Sequence, residues 1–348
     1  MLTCFLFLNN EELHLYILVV LVAIYSFTKI DNEWFISPKG FPQPIYDFKN
    51  NTLSQEKINL GRALFYDPIL SKNNTISCSS CHLQYTAFTH VDHTVSHGID
   101  DRIGTRNAPA LMNLAWHSSF MWDGAINHLD MQSLLPISHP DEMGETIEHV
   151  VDKMQKTSYY PKLYYDAFAD STITGEHTLK ALASFMVTLI SNNSKYDSVM
   201  RRESIFNDQQ ANGYALFKKK CSICHSEPLF TNMKFENNGL SYDTFYKDNG
   251  RMKITQLTDD SLKFKVPSLR NIEFSYPYMH DGRFKKLSEV LNHYNTGVVH
   301  YKNTSVFLND SMGLSSNEKV DIIAFLLTLT DKTFLFDKKY SYPRNLYK

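Results

Sequence analysis

Two pentapeptides of one pattern stand out in this chain: Cys78-Ser-Ser-Cys81-His82 and Cys221-Ser-Ile-Cys224-His225. Cys-x-x-Cys-His is the attachment pattern of a c-type haem. The two thiols form thioethers to the porphyrin vinyl groups, and the adjacent imidazole becomes the proximal ligand of the iron. Thiols three positions apart share one turn of helix, so a flat macrocycle can span them. The pattern therefore assigns Cys78, Cys81, Cys221 and Cys224 to two covalently bound haem c groups, with His82 and His225 on the two irons. Cys-x-x-Cys spacing also suits zinc. Zinc, however, takes four ligands per site and has no need of a His directly after the second Cys in both copies. Of the 5 cysteines only Cys4 is left over, so no disulfide framework is expected.

What a haem does depends on its far face. With ligands on both faces it carries electrons; with one face open it can bind peroxide. Downstream of the first motif, residues 87–113 supply three candidate distal histidines, His90, His93 and His97. Trp122-Asp-Gly124, Gln132 and His139-Pro-Asp-Glu142 follow. Downstream of the second motif lie Lys265 to Asn271, Met279-His-Asp-Gly282, Tyr294 and Met312, the two methionines being candidate thioether ligands. Each has a plainer reading. Trp122 would suit a core, as most Trp side chains do. Glu142 after His139-Pro140-Asp141 would suit a helix N-terminus. His90 and His93 read as loop histidines.

The elements that must hold these residues repeat at domain scale. Gly61-Arg-Ala-Leu-Phe65 precedes the first motif and Gly213-Tyr-Ala-Leu-Phe217 the second, each within a helical pattern. Later in each half comes an apolar helix, Leu179 to Ile190 and Val320 to Leu329, and the two share Phe-x-x-Thr-Leu. A helix, a haem motif and a closing helix describe a cytochrome c domain, here present twice. The expected fold is all-α with long loops: two tandem cytochrome c-like domains, each binding one covalent haem, behind an N-terminal apolar segment. The expected boundaries are 1–30 for a signal or anchor, 31–50 for a linker, 51–200 for the first domain and 201–348 for the second. A polar inter-domain linker is expected in Asn192 to Asn207. The loops Leu83 to Asn113 and Ser226 to Tyr278 exceed what a minimal electron carrier needs, and long ordered loops carry function.

A formal net charge of -2 over 348 residues excludes a nucleic-acid partner driven by charge. The uncharged apolar run Leu13 to Thr28 has the length of a signal-peptide core or a short anchor. Glu11 and Glu12 stand where a basic flank would be expected, and no small-x-small cleavage site follows. Export to the periplasm, with an uncleaved segment as anchor to the inner membrane, is the expectation; covalent haem attachment outside the cytoplasmic membrane agrees with it.

Taken in order, the motifs resemble the bacterial dihaem cytochrome c peroxidases and their MauG-type relatives. The resemblance covers roughly Leu60 to Thr330. It rests on Leu60 to Pro68 (L-G-R-x-L-F-x-D-P), Arg106-Asn-Ala-Pro109, Trp122-Asp-Gly124, Gln132, Glu142, Leu269-Arg-Asn271 and His280-Asp-Gly282. It implies a peroxidatic haem on His82 and an electron-transfer haem on His225. It also implies that Glu142 is the acid–base residue that moves a proton during O–O cleavage, Gln132 the group that polarises peroxide, and Trp122 an electron bridge between the haems. His97, in Ser96-His97-Gly98 nine residues before Arg106, matches the distal ligand of those peroxidases that need reductive activation. At the second haem such peroxidases carry Met where this chain has Tyr294, as MauG-type enzymes do. A phenolate is the harder, anionic donor and lowers the potential relative to a thioether. Asn107 and the Pro267 region resemble an inter-haem calcium site.

The implied function is reduction of hydrogen peroxide to water at the first haem, with electrons from a small donor protein, a c-type cytochrome or a cupredoxin, relayed through the second. The alternatives are a MauG-type oxidant of a protein or peptide, and a non-enzymatic dihaem electron carrier. A homodimer is a further partner expectation, and basic residues (Lys218 to Lys220, Lys285, Lys286) form either a docking face for the donor or an ordinary solvated surface.

Overall fold

The helices that pair across each half begin where a side-chain oxygen caps their first amides. Ser54 accepts from Lys57 N at 3.2 Å and opens α1, Gln55–Tyr66. The first haem motif forms a single turn, α2, Cys78–Cys81. Short helices α3 (Leu129–Gln132) and α4 (Leu134–Ser138) follow, then α5 (Ile147–Gln155), α6 (Tyr160–Phe168) and α7 (Gly175–Val187), the last capped by Thr174. Beyond them come α8 (Lys195–Met200), α9 (Asp208–Lys220), α10 (Met252–Thr255), α11 (Leu287–Asn292), α12 (Ser316–Leu326) and α13 (Lys332–Phe336). Asn207 with Gln210 and Ser315 with Glu318 make capping boxes at α9 and α12. The structure is a computed structural model and describes residues 34–344. The run Leu13 to Thr28 and Cys4 lie outside the described residues. Among the described residues no helix is long and apolar enough to cross a membrane.

The two sequence repeats meet the two closing helices. α1 packs on α7, and α9 packs on α12. The repeated glycines explain how: a Cβ on Gly61 would collide with the carbonyl of Ala181, and one on Gly213 with the carbonyl of Asp321. That close approach lets the Phe of each Phe-x-x-Thr-Leu fill the core. Phe65 and Phe185 meet edge to face with centroids 5.3 Å apart, and Phe217 lies 5.0 Å from Phe325. The repeated Thr ends each helix in the same way, Thr188 Oγ1 donating to Phe185 O at 2.7 Å and Thr328 Oγ1 to Phe325 O at 2.6 Å.

From Ser37 onward the chain forms one connected unit. The fold is helical with long irregular loops, as expected. Among the described residues the one sheet pairs β1 (Phe235–Glu236) antiparallel to β2 (Phe264–Lys265), with Phe235 opposite Lys265. The stretch Asn192 to Asn207 differs from a loose linker because α8 lies within it. Asp197, the acid of that helix's capping box with Ser194, also takes both guanidinium nitrogens of Arg270 at 2.8 and 2.9 Å. Arg270 is fully buried, so this paired charge nails the junction to the interior.

Candidate functional site

At the first motif, α2 sets Cys78 and Cys81 on one helical turn, and the His82 amide closes it on Cys78 O at 2.9 Å. None of the four motif cysteines is engaged in a disulfide. The ring of His82 is aimed by its own loop: Nδ1 bonds the carbonyl of Phe88 at 2.7 Å. Ala87 and Phe88 both adopt left-handed backbone, φ 59° and 57°, and this double turn brings that carbonyl back to the imidazole. Burial lowers the pKa of His82 to about 4. The ring is therefore neutral, with Nε2 left as a metal donor and its orientation fixed by the other nitrogen.

The second motif uses the same device. Cys221 follows directly on α9, His225 N bonds Cys221 O at 2.9 Å, and His225 Nδ1 reaches the carbonyls of Phe230 and Pro267, each at 3.2 Å. Burial lowers its pKa to about 4 as well. Cys221, Cys224 and His225 line a cavity of about 270 Å³ whose walls are largely apolar. A flat apolar macrocycle held by two thioethers and one neutral imidazole fits this donor set and lining.

Tyr294, Met279 and Met312 all reach the same cavity. Tyr294 sits in a π-helical turn, His293–Gly297, a distortion of the kind that accompanies functional sites. Burial pushes its phenol up to about 12, while a hydrogen bond with the Asn238 side chain works the other way. Asn238 also holds the neighbours, since its carbonyl bonds His293 Nε2 at 2.9 Å and its Nδ2 lies 3.6 Å from Met279 Sδ. Nothing in the sequence signalled Asn238.

Glu142 and His97 gather at the first motif. Glu142 lies in the turn between α4 and α5, and α5 is capped by Thr146, so the carboxylate does not serve a helix N-terminus. Burial raises its pKa, with His139 opposing and Asp141 adding to the rise. The main chain of Glu142 packs against Gly98 and its carbonyl accepts from Ile99 N at 2.7 Å, which holds it to the loop of His97 beside the attachment turn. The carbonyl of His97 lies 3.5 Å from Cys81 Sγ, and its ring Nδ1 bonds Asp101 at 2.9 Å. His93 packs on the His97 ring at 4.0 Å and on His90 at 5.2 Å, so the three histidines form one stack.

Gln132 and Trp122 line the large cavity instead. Gln132 Nε2 points at Met121 Sδ, 3.7 Å away. Trp122 is tied at both ends: its indole N–H donates to Asn107 O at 2.9 Å, and its carbonyl accepts from Lys265 N at 2.7 Å. Asn107 is buried, its Nδ2 bonding Thr94 O at 3.0 Å and its amide bonding His280 O at 2.7 Å. Among the described residues no cluster of three or more His, Cys, Asp or Glu is arranged for a metal ion, so calcium near Asn107 would depend on amide and carbonyl oxygens. The Arg106 beside it makes a network that sequence reading missed: Nε and Nη2 bond Asp248 at 2.6 and 2.9 Å, and Nη1 bonds Asp123 at 2.6 Å. The motif arginines Arg106 and Arg270 thus hold the loops that carry the site.

A family model described as di-haem cytochrome c peroxidase matches residues 55–205. The methylamine utilization protein MauG of Methylorubrum extorquens is 35% identical over 307 residues, 85% of this chain and 83% of that protein. The cytochrome c551 peroxidase of Nitrosomonas europaea is 31% identical over 294 residues, 83% of this chain and 84% of that one. A crystal structure of a MauG-like protein associated with microbial copper homeostasis superposes with a TM-score of 0.80 at 32% identity, over 89% of this chain and 99% of the other. Sequence, fold and the two attachment motifs agree, and the chain belongs to the dihaem cytochrome c peroxidase and MauG family.

Proposed function

We propose that the chain is a periplasmic dihaem peroxidase that reduces hydrogen peroxide to water, with residues 51–200 forming the peroxidatic domain and 201–348 the electron-transfer domain. The observation that carries this reading is the placement of Glu142, a half-buried carboxylate whose pKa desolvation raises, fastened through Ile99 to the loop of His97 beside the first attachment turn and outside any helix cap. Cys78, Cys81 and His82 would hold the haem, which would supply the redox chemistry that reduces peroxide. Glu142 takes the proton from the oxygen nearest the iron and returns it to the leaving oxygen. Two electrons and two protons in all convert one peroxide to two waters. Gln132 contributes an amide that orients peroxide, and reaches it by leaving its contact with Met121 Sδ. Trp122, held at its indole and its carbonyl, is a rigid aromatic bridge between the two halves. His97 is the residue to be moved aside before peroxide enters, and its loop is anchored through Cys81 and Asp101. A small c-type cytochrome or cupredoxin supplies the electrons, and Asn107 is the candidate ligand for a calcium ion between the halves.

Tyr294 favours a second reading, a MauG-type oxidant that acts on a protein or peptide. Its position in the cavity wall with Cys221, Cys224 and His225 would let its oxygen serve as a ligand on the second iron, where coordination has to offset the rise that burial gives its pKa. The deciding experiment is steady-state peroxide consumption by haem-loaded protein supplied with a reduced small c-type cytochrome, before and after half-reduction. Turnover that appears after half-reduction supports the peroxidase with a displaceable His97. No turnover in either state removes the peroxidase reading in favour of the MauG-type oxidant or the dihaem electron carrier.

A further inference from the structure

One corner of the large cavity gathers polar groups that the chemistry above leaves unused. Lys265 reaches it from β2, with Nζ 2.7 Å from the carbonyl of Ser119 and 5.8 Å from the centroid of Phe120. Among the described residues no carboxylate lies within ion-pair distance of this ammonium. Burial lowers its pKa to about 8, with the charge of Asp123 opposing, so the group stays cationic at neutral pH. His117 lies roughly parallel to Phe120, 6.3 Å between centroids and 18° between planes. Its Nδ1 is buried without a hydrogen-bond partner, and so is Ser119 Oγ. Burial lowers the pKa of His117 far below the usual imidazole value, which keeps the ring neutral.

An ammonium and an imidazole N–H make two donors on the cavity wall, and buried donors of this kind are matched by a carboxylate. A buried charge without a counter-ion is otherwise strongly disfavoured. His117 and Lys265 line the cavity together with Cys221, Cys224 and His225, whereas the first attachment set, Cys78, Cys81 and His82, is not on its wall. Haem brings two propionate carboxylates into whatever cavity holds it. We propose that Lys265, with His117, forms a carboxylate-binding corner that receives a propionate of the haem attached at Cys221 and Cys224. This rests on the reading that both motifs carry haem. Lys265 is then a positioning residue. Its charge stabilises the reduced, more negative form of that haem and raises its potential, against the lowering effect of a Tyr294 ligand. Because Lys265 N also holds the Trp122 carbonyl, the same residue fixes one edge of the bridge.

The test uses the full haem-loaded chain and Lys265→Met, with haem content measured as pyridine haemochrome, potentials by spectroelectrochemistry and the propionate-bending band by resonance Raman. Two haems per chain in both proteins, a lower potential and a shifted propionate band at the second haem alone, and a potential close to that of the parent in Lys265→Arg are expected. Two haems with potential and band unmoved, or a change confined to the first haem, would overturn the proposal. Fewer than two haems in the parent chain would overturn the dihaem reading beneath it. Should Lys265→Met fail to accumulate, His117→Phe reports on the same band, which must shift if the corner binds a propionate.

Discussion

The amide of Ile99 donates to the carbonyl of Glu142 at 2.7 Å, fastening the loop of His97 to the turn that carries the candidate base. The contact is backbone on backbone, and Gly98 makes it possible: a Cβ there would collide with the main chain of Asp141 and Glu142. Any movement of the His97 loop is therefore felt at Glu142.

Gly98→Ala is expected to force loop and turn apart. Overpacking of this kind costs about 1–3 kcal/mol. The neighbours are main-chain atoms that cannot swing aside, so the upper part of that range applies. Chemical unfolding of the haem-loaded protein reads the stability, and peroxide turnover should fall with it. Parent-like stability and turnover would show that the loop and the turn are not rigidly joined.

Glu142→Gln keeps the shape and removes the proton carrier. Turnover is expected to drop by roughly 10²–10⁴, with both haem spectra intact. The pH profile gives the sign independently. Burial raises the pKa of Glu142, so the base form, and the rate, are lost as pH falls through a value above the usual carboxylate range. Over the window between the ordinary and the raised pKa the folded chain holds a proton that the unfolded chain has released. Stability contributed by Glu142 thus declines as pH rises through that window. Glu142→Gln should erase the acidic limb of the rate profile; an unchanged limb assigns it to another group.

Tyr294→Met replaces a buried phenol by a thioether in the cavity wall. The midpoint potential of the second haem is expected to rise, because thioether ligation favours the reduced iron relative to phenolate. Spectroelectrochemistry of the two haems separates the effect from the first site. An unchanged spectrum and potential would mean that Tyr294 is not a ligand, and Met279 or Met312, on the same wall, would take its place.

The helices and their pairing were legible because Gly-x-Ala-Leu-Phe and Phe-x-x-Thr-Leu occur twice at matching places. What the repeated glycine is for became clear only when Gly61 met Ala181 and Gly213 met Asp321, contacts between residues more than a hundred positions apart. Leu269-Arg-Asn271 reads as a family motif, yet its work is structural. Arg270 pairs with Asp197, and Asn271 ties Ser191, through its Nδ2 at 2.9 Å, to the amide of Asp331 at 2.7 Å. Such long-range polar pairs leave no local periodicity. The placement of the Phe88 carbonyl on His82 was hidden for a different reason. It depends on left-handed backbone at Ala87 and Phe88, where neither residue type announces it. The capping alternative for Glu142 failed because α5 starts later, at Ile147 behind Thr146.

Arg106 offers the prediction with the largest expected effect on stability. It joins Asp123, next to Trp122, to Asp248 on the long second loop, and its partner Asp248 is only 3% exposed. Burial alone would raise the pKa of Asp248; the hydrogen bonds and charge of Arg106 outweigh it and hold the carboxyl well below its usual range, with Gly250 N and Lys253 assisting. A depressed folded pKa contributes stability that is complete above the ordinary aspartate value of about 3.9 and is lost as pH falls from there toward the folded value. Arg106→Met leaves Asp248 buried with only Lys253 as a charged partner, at 3.1 Å. Removing one partner of such a buried pair costs about 3–5 kcal/mol, and the loss of stability in acid should become shallower than in the parent because less is left to lose. Arg106→Lys keeps the charge but not the two-point grip on Asp248, so its stability should fall between the two. Denaturant titrations of the haem-loaded proteins between neutral and acid pH read both slopes. A variant as stable as the parent at neutral pH, with an identical acid slope, would show that the Arg106 network does not hold the Trp122 loop to the second half.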